Sequence, residues 1–316
     1  MSIVLHSIRD QKDGNSNNHV NYAPFNASNE VDIVWWESLN VAQQAAISSE
    51  QRPRLGQISV PHETKVTPDF MKIYWAYIHS FDYHCWFDAV KDFLPVETTV
   101  HLLSPNDRHI LKEMATRRIL RGRDVSHMEI YGDLSSNLLL SLRDALQGPA
   151  FVRLSTSSGK NDRPVRPVSS VSELLNYICE SPRLQADLAE NKTCALVTMP
   201  WLEIHPKTEF RVFVYKKRVT CVSQQHWFRN VGLTDATMTA ATLNINDWFE
   251  ASFKLTLPFT DSILDVWIDS GGMVHLIEIN PFGAWASSGS SLFHWVQDYT
   301  KLHNIDGAIH AAFVSA

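Results

Sequence analysis

Leu276 to Gly283 reads Leu-Ile-Glu-Ile-Asn-Pro-Phe-Gly and sets a carboxylate and a carboxamide two residues apart in an apolar run. Side chains two apart on a strand share a face, so Glu278 and Asn280 point the same way. Neither belongs in a dry core without a partner. Two oxygen donors side by side suit a hard cation such as Mg²⁺, which keeps the rest of its shell for water and phosphate. Upstream, Ile263 to Ile268 and Met273 to Ile279 read as strands joined by Asp269-Ser-Gly-Gly272, a hairpin pattern. Pairing Ile268 with Met273 sets Asp265 opposite Leu276. Position 276 shares a face with 278 and 280, so Asp265 joins them. Asp265, Glu278 and Asn280 are the candidate metal ligands. The alternative is an exposed hairpin with a polar wet face, and Leu276 and Trp267 argue against full exposure.

Other residues could handle phosphate. Arg153 interrupts the apolar strand Phe151 to Leu154, and a buried strand arginine needs an anionic partner. Ser155 to Asp162 follows as Ser-Thr-Ser-Ser-Gly-Lys-Asn-Asp, a small-residue loop that could wrap phosphates with Lys160 as its ammonium. The GxxxxGK[ST] spacing is absent. Arg211 lies in Thr208 to Val214 on a face with Glu209 and Phe213. It reads either as a phosphate clamp or as an ion pair with Glu209 or another acid. Leu196 to Met199 runs into Pro200, Trp201 and Glu203, a strand exit whose backbone could hydrogen-bond an adenine edge.

The elements that must position these residues are legible in part. Pro68 opens a helical stretch toward Phe93 with Thr67 as its N-cap, and Ser104-Pro105 opens another. Trp36 to Ser49 reads as a helix and Gln57 to Val60 as a short strand. Ser136 to Gln147 is helical until Gly148-Pro149. Beyond it, strands are expected at 150–154, 194–199, 209–215, 218–224, 262–268 and 273–279. Helices are expected at 170–180, 182–190 and 289–301. Antiparallel hairpins rather than βαβ units make this an α+β chain. The expected division is an N-terminal arm and helical region over 1–93, a first lobe over 94–200 and a second lobe with the metal site over 201–316.

With 316 residues, 44% of them hydrophobic, the chain can bury a sizeable core. A net charge of −6 gives no global basic field for nucleic acid, although local patches could serve. Those patches are Arg117, Arg118, Arg121 and Arg123, which read equally as a solvated helix end, and Lys216, Lys217 and Arg218. Cys85, Cys179, Cys194 and Cys221 lack CxxC spacing and read as reduced thiols. Without a signal-peptide core or a transmembrane-length apolar run, the expectation is a soluble cytoplasmic protein with no membrane.

Phe151-Val-Arg-Leu-Ser, Trp201-Leu-Glu203, Glu209-Phe-Arg-Val-Phe-Val, Val222-Ser-Gln224, Asp265-Val-Trp, Leu276 to Gly283 and Ser291-Leu-Phe-His-Trp295 together resemble the cell-division-cycle-123 family, a branch of the ATP-grasp superfamily. The resemblance covers roughly 149–296 and implies an ATP-grasp fold: two α+β lobes with mainly antiparallel sheets enclosing a cleft for ATP and Mg²⁺. It implies Asp265, Glu278 and Asn280 as metal ligands. Arg153, Lys160 and Arg211 become phosphate contacts and catalytic groups, and Met199, Trp201 and Glu203 line the adenine hinge.

Two departures direct the functional expectation. The N-terminal aromatic–proline segment of eukaryotic members is not found, and the Arg153 to Asp162 loop resembles that of a second branch linked to RNA end-joining. The expectation is therefore an ATP- and Mg²⁺-dependent RNA ligase working by adenylyl transfer. Lys160 is the first candidate for a covalent lysine and Lys207 the second, and the two basic clusters are the RNA contacts. The alternative is an ATP-binding assembly chaperone for the gamma subunit of translation initiation factor 2. His226 and Trp227 could touch a base, although a packed pair is the simpler reading.

Overall fold

A computed structural model of the chain describes residues 2–9, 68–121, 132–159, 165–190, 194–283, 288–293, 295 and 298–315. The expected Thr67 cap, the helix at 36–49, the strand at 57–60, Arg123 and Lys160 lie outside these residues. The chain divides into two compact units, one formed by residues 1–81 with 204–316 and one by 82–203. The boundaries expected from sequence fell at 93 and 200.

The first unit is built on the alternating apolar segments after residue 208. Strands β5 (Glu209–Tyr215) and β6 (Arg218–Gln224) form one hairpin, and β7 (Ser262–Ile268) and β8 (Val274–Asn280) form another. With β1 (Ile3–Arg9) and β9 (Ile309–Ser315) they make a six-stranded sheet ordered β1-β9-β6-β5-β7-β8. The hairpins and the β5–β7 pair are antiparallel, while β1–β9 and β9–β6 are parallel. Lys216 and Lys217 carry φ of 50° and 58° in the β5–β6 turn, the double left-handed geometry that matches strand twist.

One sheet face carries Phe213, Cys221, Ile263 and Ala312, covered by Phe282, Leu292, Phe293, Trp295 and Leu302. A helix Asp235–Trp248, begun by a Thr234/Thr237 capping box, packs against β9, β1 and β8. The helix expected at 289–301 does not form. Ser291 is left-handed at φ 51°, and residues 288–293 run as a strap over the sheet, with Leu292 N–H donating to Ser223 Oγ at 3.3 Å. Leu292 and Phe293 of the strap, and Trp295 beyond it, pack with the sheet core, and among the described residues of this stretch only Tyr299–Leu302 is helical.

The second unit holds an antiparallel sheet ordered β2-β4-β3, from Thr99–Leu102, Ala195–Pro200 and Ala150–Leu154. Helices Pro105–Arg121, Ser136–Ala145, Val171–Glu180 and Pro182–Glu190 bury Leu111, Leu142, Leu174 and Leu184 against Val152 and Leu154. All four of these helices start on a serine, Ser104, Ser135, Ser170 or Ser181, whose hydroxyl accepts a backbone N–H from the first turn. The helical stretch expected to run from Pro68 to Phe93 is broken into Pro68–Ser80 and Tyr83–Val90. Buried Asp82 takes an extended ψ between them and accepts a hydrogen bond from Thr156 Oγ1 at 2.8 Å, which removes it from the helix.

Candidate functional site

Strand register decides which side chains meet on the six-stranded sheet. Ile268 pairs with Val274 rather than Met273, and Trp267 with His275. A bulge at Ile277 then shifts the ladder, so that Val266 faces Leu276 but Asp265 faces Glu278 and Ile263 faces Asn280. The expected register was off by one residue and lacked the bulge, and the two errors cancel for the polar trio. They do not cancel for Leu276. It lies on the opposite face with Val266, Leu264 and Ile279, all fully buried or nearly so.

Asp265 sits 2% exposed at the middle of this constellation. Arg211, directly across on β5, grips it with two parallel bonds, Nε to Oδ1 and Nη2 to Oδ2, both 2.8 Å. Asn280 Nδ2 adds a longer bond to Asp265 Oδ2 at 3.3 Å. Arg211 Nη1 donates to the Gly289 carbonyl at 2.7 Å, which ties the strap to the site. Burial works against the charge on Arg211, but the Asp265 carboxylate, with Glu278 and Glu209 behind it, overrides this and raises its pKa. Glu209 is not the arginine's direct partner; its carboxylate meets His226 Nε2 at 3.0 Å. His226 packs edge-on to Phe228, and Trp227 packs against the sheet core.

The donor set fits a small hard cation in kind: two carboxylates and a carboxamide at adjoining ladder positions. Among the described residues no three His, Cys, Asp or Glu side chains converge as a metal group, so the carboxamide of Asn280 is needed to complete one. Gly289 and Ser223 belong to the site's support; Ser223 stood in the block Val222-Ser-Gln224, whereas Gly289 carried no sequence signal beyond a run of small residues.

In the second unit, Arg153 is 4% exposed. Its Nε donates to the Leu154 carbonyl at 3.1 Å and its guanidinium lies 5.4 Å from the centre of the Tyr83 ring. The loop that follows is held from inside: Ser157 Oγ donates to Asp187 Oδ2 at 2.5 Å, and Ser155 Oγ bonds His84 Nδ1 at 2.9 Å. Burial pushes the Asp187 carboxyl up, and the Ser157 bond opposes it. At the exit of β4, Met199 pairs with Phe151, and Trp201 Nε1 donates to Glu203 Oε1 at 2.7 Å. Lys207 lies in a short 3₁₀ turn, with its backbone N–H on His205 Nδ1.

Residues 169–306 match the D123 family model. This stretch of the chain is similar to the D123 family. It contains Arg211, Asp265, Glu278, Asn280 and the Gly289 strap. Translation initiation factor eIF2 assembly protein of Danio rerio is 33% identical over 103 residues, 32% of this chain and 28% of that protein. The protein of the same name from Candida albicans is 26% identical over 189 residues, 53% of each. The chain thus spans from about a quarter to about half of these curated relatives. The structure of Cdc123 from Schizosaccharomyces pombe superposes with a TM-score of 0.56 at 18% identity, over 75% of this chain and 97% of that one.

The resemblance read from the sequence therefore holds, and so does the α+β fold with mainly antiparallel strands, a fold shared with the Cdc123 structure. The RNA-ligase expectation does not, because the curated relatives of the D123 segment are named as eIF2 assembly proteins. Lys217 Nζ donates to the Leu257 and Lys254 carbonyls, closing a neighbouring turn, and Lys216 N–H bonds Asp261 Oδ1 at 2.6 Å. Arg117, Arg118 and Arg121 fall at the end of Pro105–Arg121, with side chains outside the described residues. No helix among the described residues is long and apolar enough to cross a membrane.

Proposed function

We propose that this chain is an ATP-binding assembly factor of the D123 type that acts on translation initiation factor eIF2, with the gamma subunit as its direct partner. The observation that carries this reading is the Asp265–Glu278–Asn280 face with Arg211 bonded into it, all within the matched segment. Asp265, Glu278 and Asn280 would hold Mg²⁺, and Arg211 would meet a phosphate. Met199, Trp201 and Glu203, with Arg153 and Lys160, are the proposed nucleotide contacts of the second unit. Bound Mg²⁺ would neutralise triphosphate charge. The protein's own part is to fix the ligands on a rigid ladder and to order a partner surface. The names of the relatives supply the partner, and the overall negative charge of the chain suits a protein partner better than a nucleic acid.

The test is a binding titration of purified chain with ATP and Mg²⁺, followed by capture of purified eIF2 gamma subunit with and without nucleotide. Glu278→Ala is expected to weaken Mg²⁺-dependent ATP binding by about tenfold or more, since losing a metal-site carboxylate removes a charge-assisted contact. It is also expected to weaken nucleotide-dependent capture in step. ATP affinity unchanged by this substitution would refute the metal assignment, and no capture by the unsubstituted chain would refute the partner.

A further inference from the structure

We infer that Arg211 and Asp265 act as mutual placeholders, so that the site takes a divalent cation and a polyphosphate jointly and resists either one alone. The inference rests on the nucleotide reading above and concerns how that site is regulated.

The geometry makes each residue's ligand-binding atoms the other's partner. Both Asp265 oxygens accept from Arg211, and Oδ2 accepts from Asn280 as well. All three guanidinium nitrogens of Arg211 donate, two to Asp265 and one to the Gly289 carbonyl. The side chains are 14% and 4% exposed, so water cannot replace a lost partner. Neither residue can drift away, because they stand directly opposite on adjacent strands in the middle of the sheet.

A cation arriving alone must take Asp265 lone pairs that the guanidinium is using. It leaves Arg211 as a buried positive charge beside the new positive ion. A polyphosphate arriving alone must take Arg211 donors, and it leaves Asp265 as a buried carboxylate beside the new anion, with Glu278 and Glu209 on the same face. Each single ligand therefore breaks one ion pair and creates one like-charge contact. When both arrive, the cation replaces Arg211 at Asp265 and the phosphate replaces Asp265 at Arg211, and every charge keeps a partner. This coupling adds to the ordinary affinity of the metal for the triphosphate, and it is carried by one pair of residues.

Two substitutions separate that pair. Asp265→Asn frees Arg211 and removes the carboxylate that an incoming phosphate would strand. In EDTA, with ATP as the probe and calorimetry as the readout, D265N is expected to bind ATP about tenfold more tightly than the unsubstituted chain, the scale of a typical site–site coupling. The control is Glu209→Gln, which removes the same charge from the same face but leaves both Arg211–Asp265 bonds. Its metal-free ATP affinity is expected to stay within about twofold of the unsubstituted chain, as for a screened neighbouring charge. The reciprocal arm is Arg211→Gln with Mn²⁺ alone, read by paramagnetic resonance. R211Q is expected to bind Mn²⁺ about tenfold more tightly than the unsubstituted chain, since coupling is reciprocal.

D265N binding metal-free ATP no better than E209Q overturns the inference, as does an R211Q variant with unchanged Mn²⁺ affinity. Either variant decides the matter if the other fails to fold. The nucleotide reading stands through both of those results as long as the unsubstituted chain binds Mg²⁺ with ATP. If it binds neither alone nor together, that reading falls, and the placeholder inference falls with it.

Discussion

A β-carbon built on Gly159 would lie 2.4 Å from the Tyr177 hydroxyl oxygen and 2.6 Å from ring carbon Cζ. Those distances are far inside van der Waals contact, and Tyr177 is itself buried in the helical layer. Gly159→Ala should therefore destabilise the second unit by about 1–3 kcal/mol, the usual cost of overpacking. Tyr177→Phe should relieve this only in part, because the ring carbon stays. Urea unfolding of G159A alone and with Y177F checks both statements. Glycine at 159 reads in the sequence as a flexible loop residue, and nothing there names Tyr177 across the chain. The site charges were more legible. Parity along one strand put Glu278 and Asn280 together without any knowledge of pairing. The partner of Arg211 was not, because two acids competed for it. Glu209 is two residues away along the strand, roughly 7 Å, whereas a directly opposed cross-strand residue is about 5 Å away. The nearer position belongs to Asp265, and only the strand order reveals it.

Strand β9 was not visible as a strand, because it is buried throughout and pairs in parallel with both neighbours. Its alternation is erased, since both faces are covered. The residue that secures its end is Gln224, fully buried at the close of β6. Its carbonyl oxygen accepts from Val314 N–H at 2.8 Å, and its amide donates to the His226 and Arg229 carbonyls at 2.7 and 2.8 Å. One side chain thus joins β9, β6 and the turn that carries His226 to Glu209. Gln224→Leu keeps much of the volume and strips all three bonds, leaving backbone groups unpaired in the core. A loss of about 3 kcal/mol is expected, with faster amide exchange at Val314. A loss below about 0.5 kcal/mol, within the range of neutral surface changes, would show that the turn relaxes freely. The sequence block Val222-Ser-Gln224 marked this glutamine, yet its three backbone partners come from segments that only the fold assembles.

At the scale of the molecule, half-buried His6 in one unit and buried His101 in the other give the two units a pH dependence of the same sign. His6 on β1 bonds His310 Nδ1 at 3.1 Å, and His310 Nε2 bonds Asp306 Oδ2 at 2.9 Å. Burial lowers the pKa of His6, with Lys301 and His310 adding to the effect and Asp298 opposing it. In the second unit, burial alone lowers the pKa of His101, which bonds Thr198 Oγ1 and Ser141 Oγ. Both start from 6.5 in the unfolded chain. As pH falls through that value, the unfolded chain takes up protons before the folded one, so stability falls with pH and levels off below the folded-state values. The carboxylates held below 3.8 by hydrogen bonds, Asp269 chiefly by His275 and Asp306 chiefly by the Ala308 amide, act in a more acidic window. They contribute stability above that value and lose it as pH falls, so they do not mask the histidines near neutrality. Thermal unfolding followed from about pH 8 to about pH 5.5, a range that brackets histidine titration, should show falling midpoints. His6→Gln should flatten the dependence of the six-stranded unit and His101→Gln that of the helical unit. An equal flattening of both transitions by one substitution would mean that the two units unfold as one, and an unchanged slope in H6Q would mean that His6 is protonated at no cost where it sits on β1.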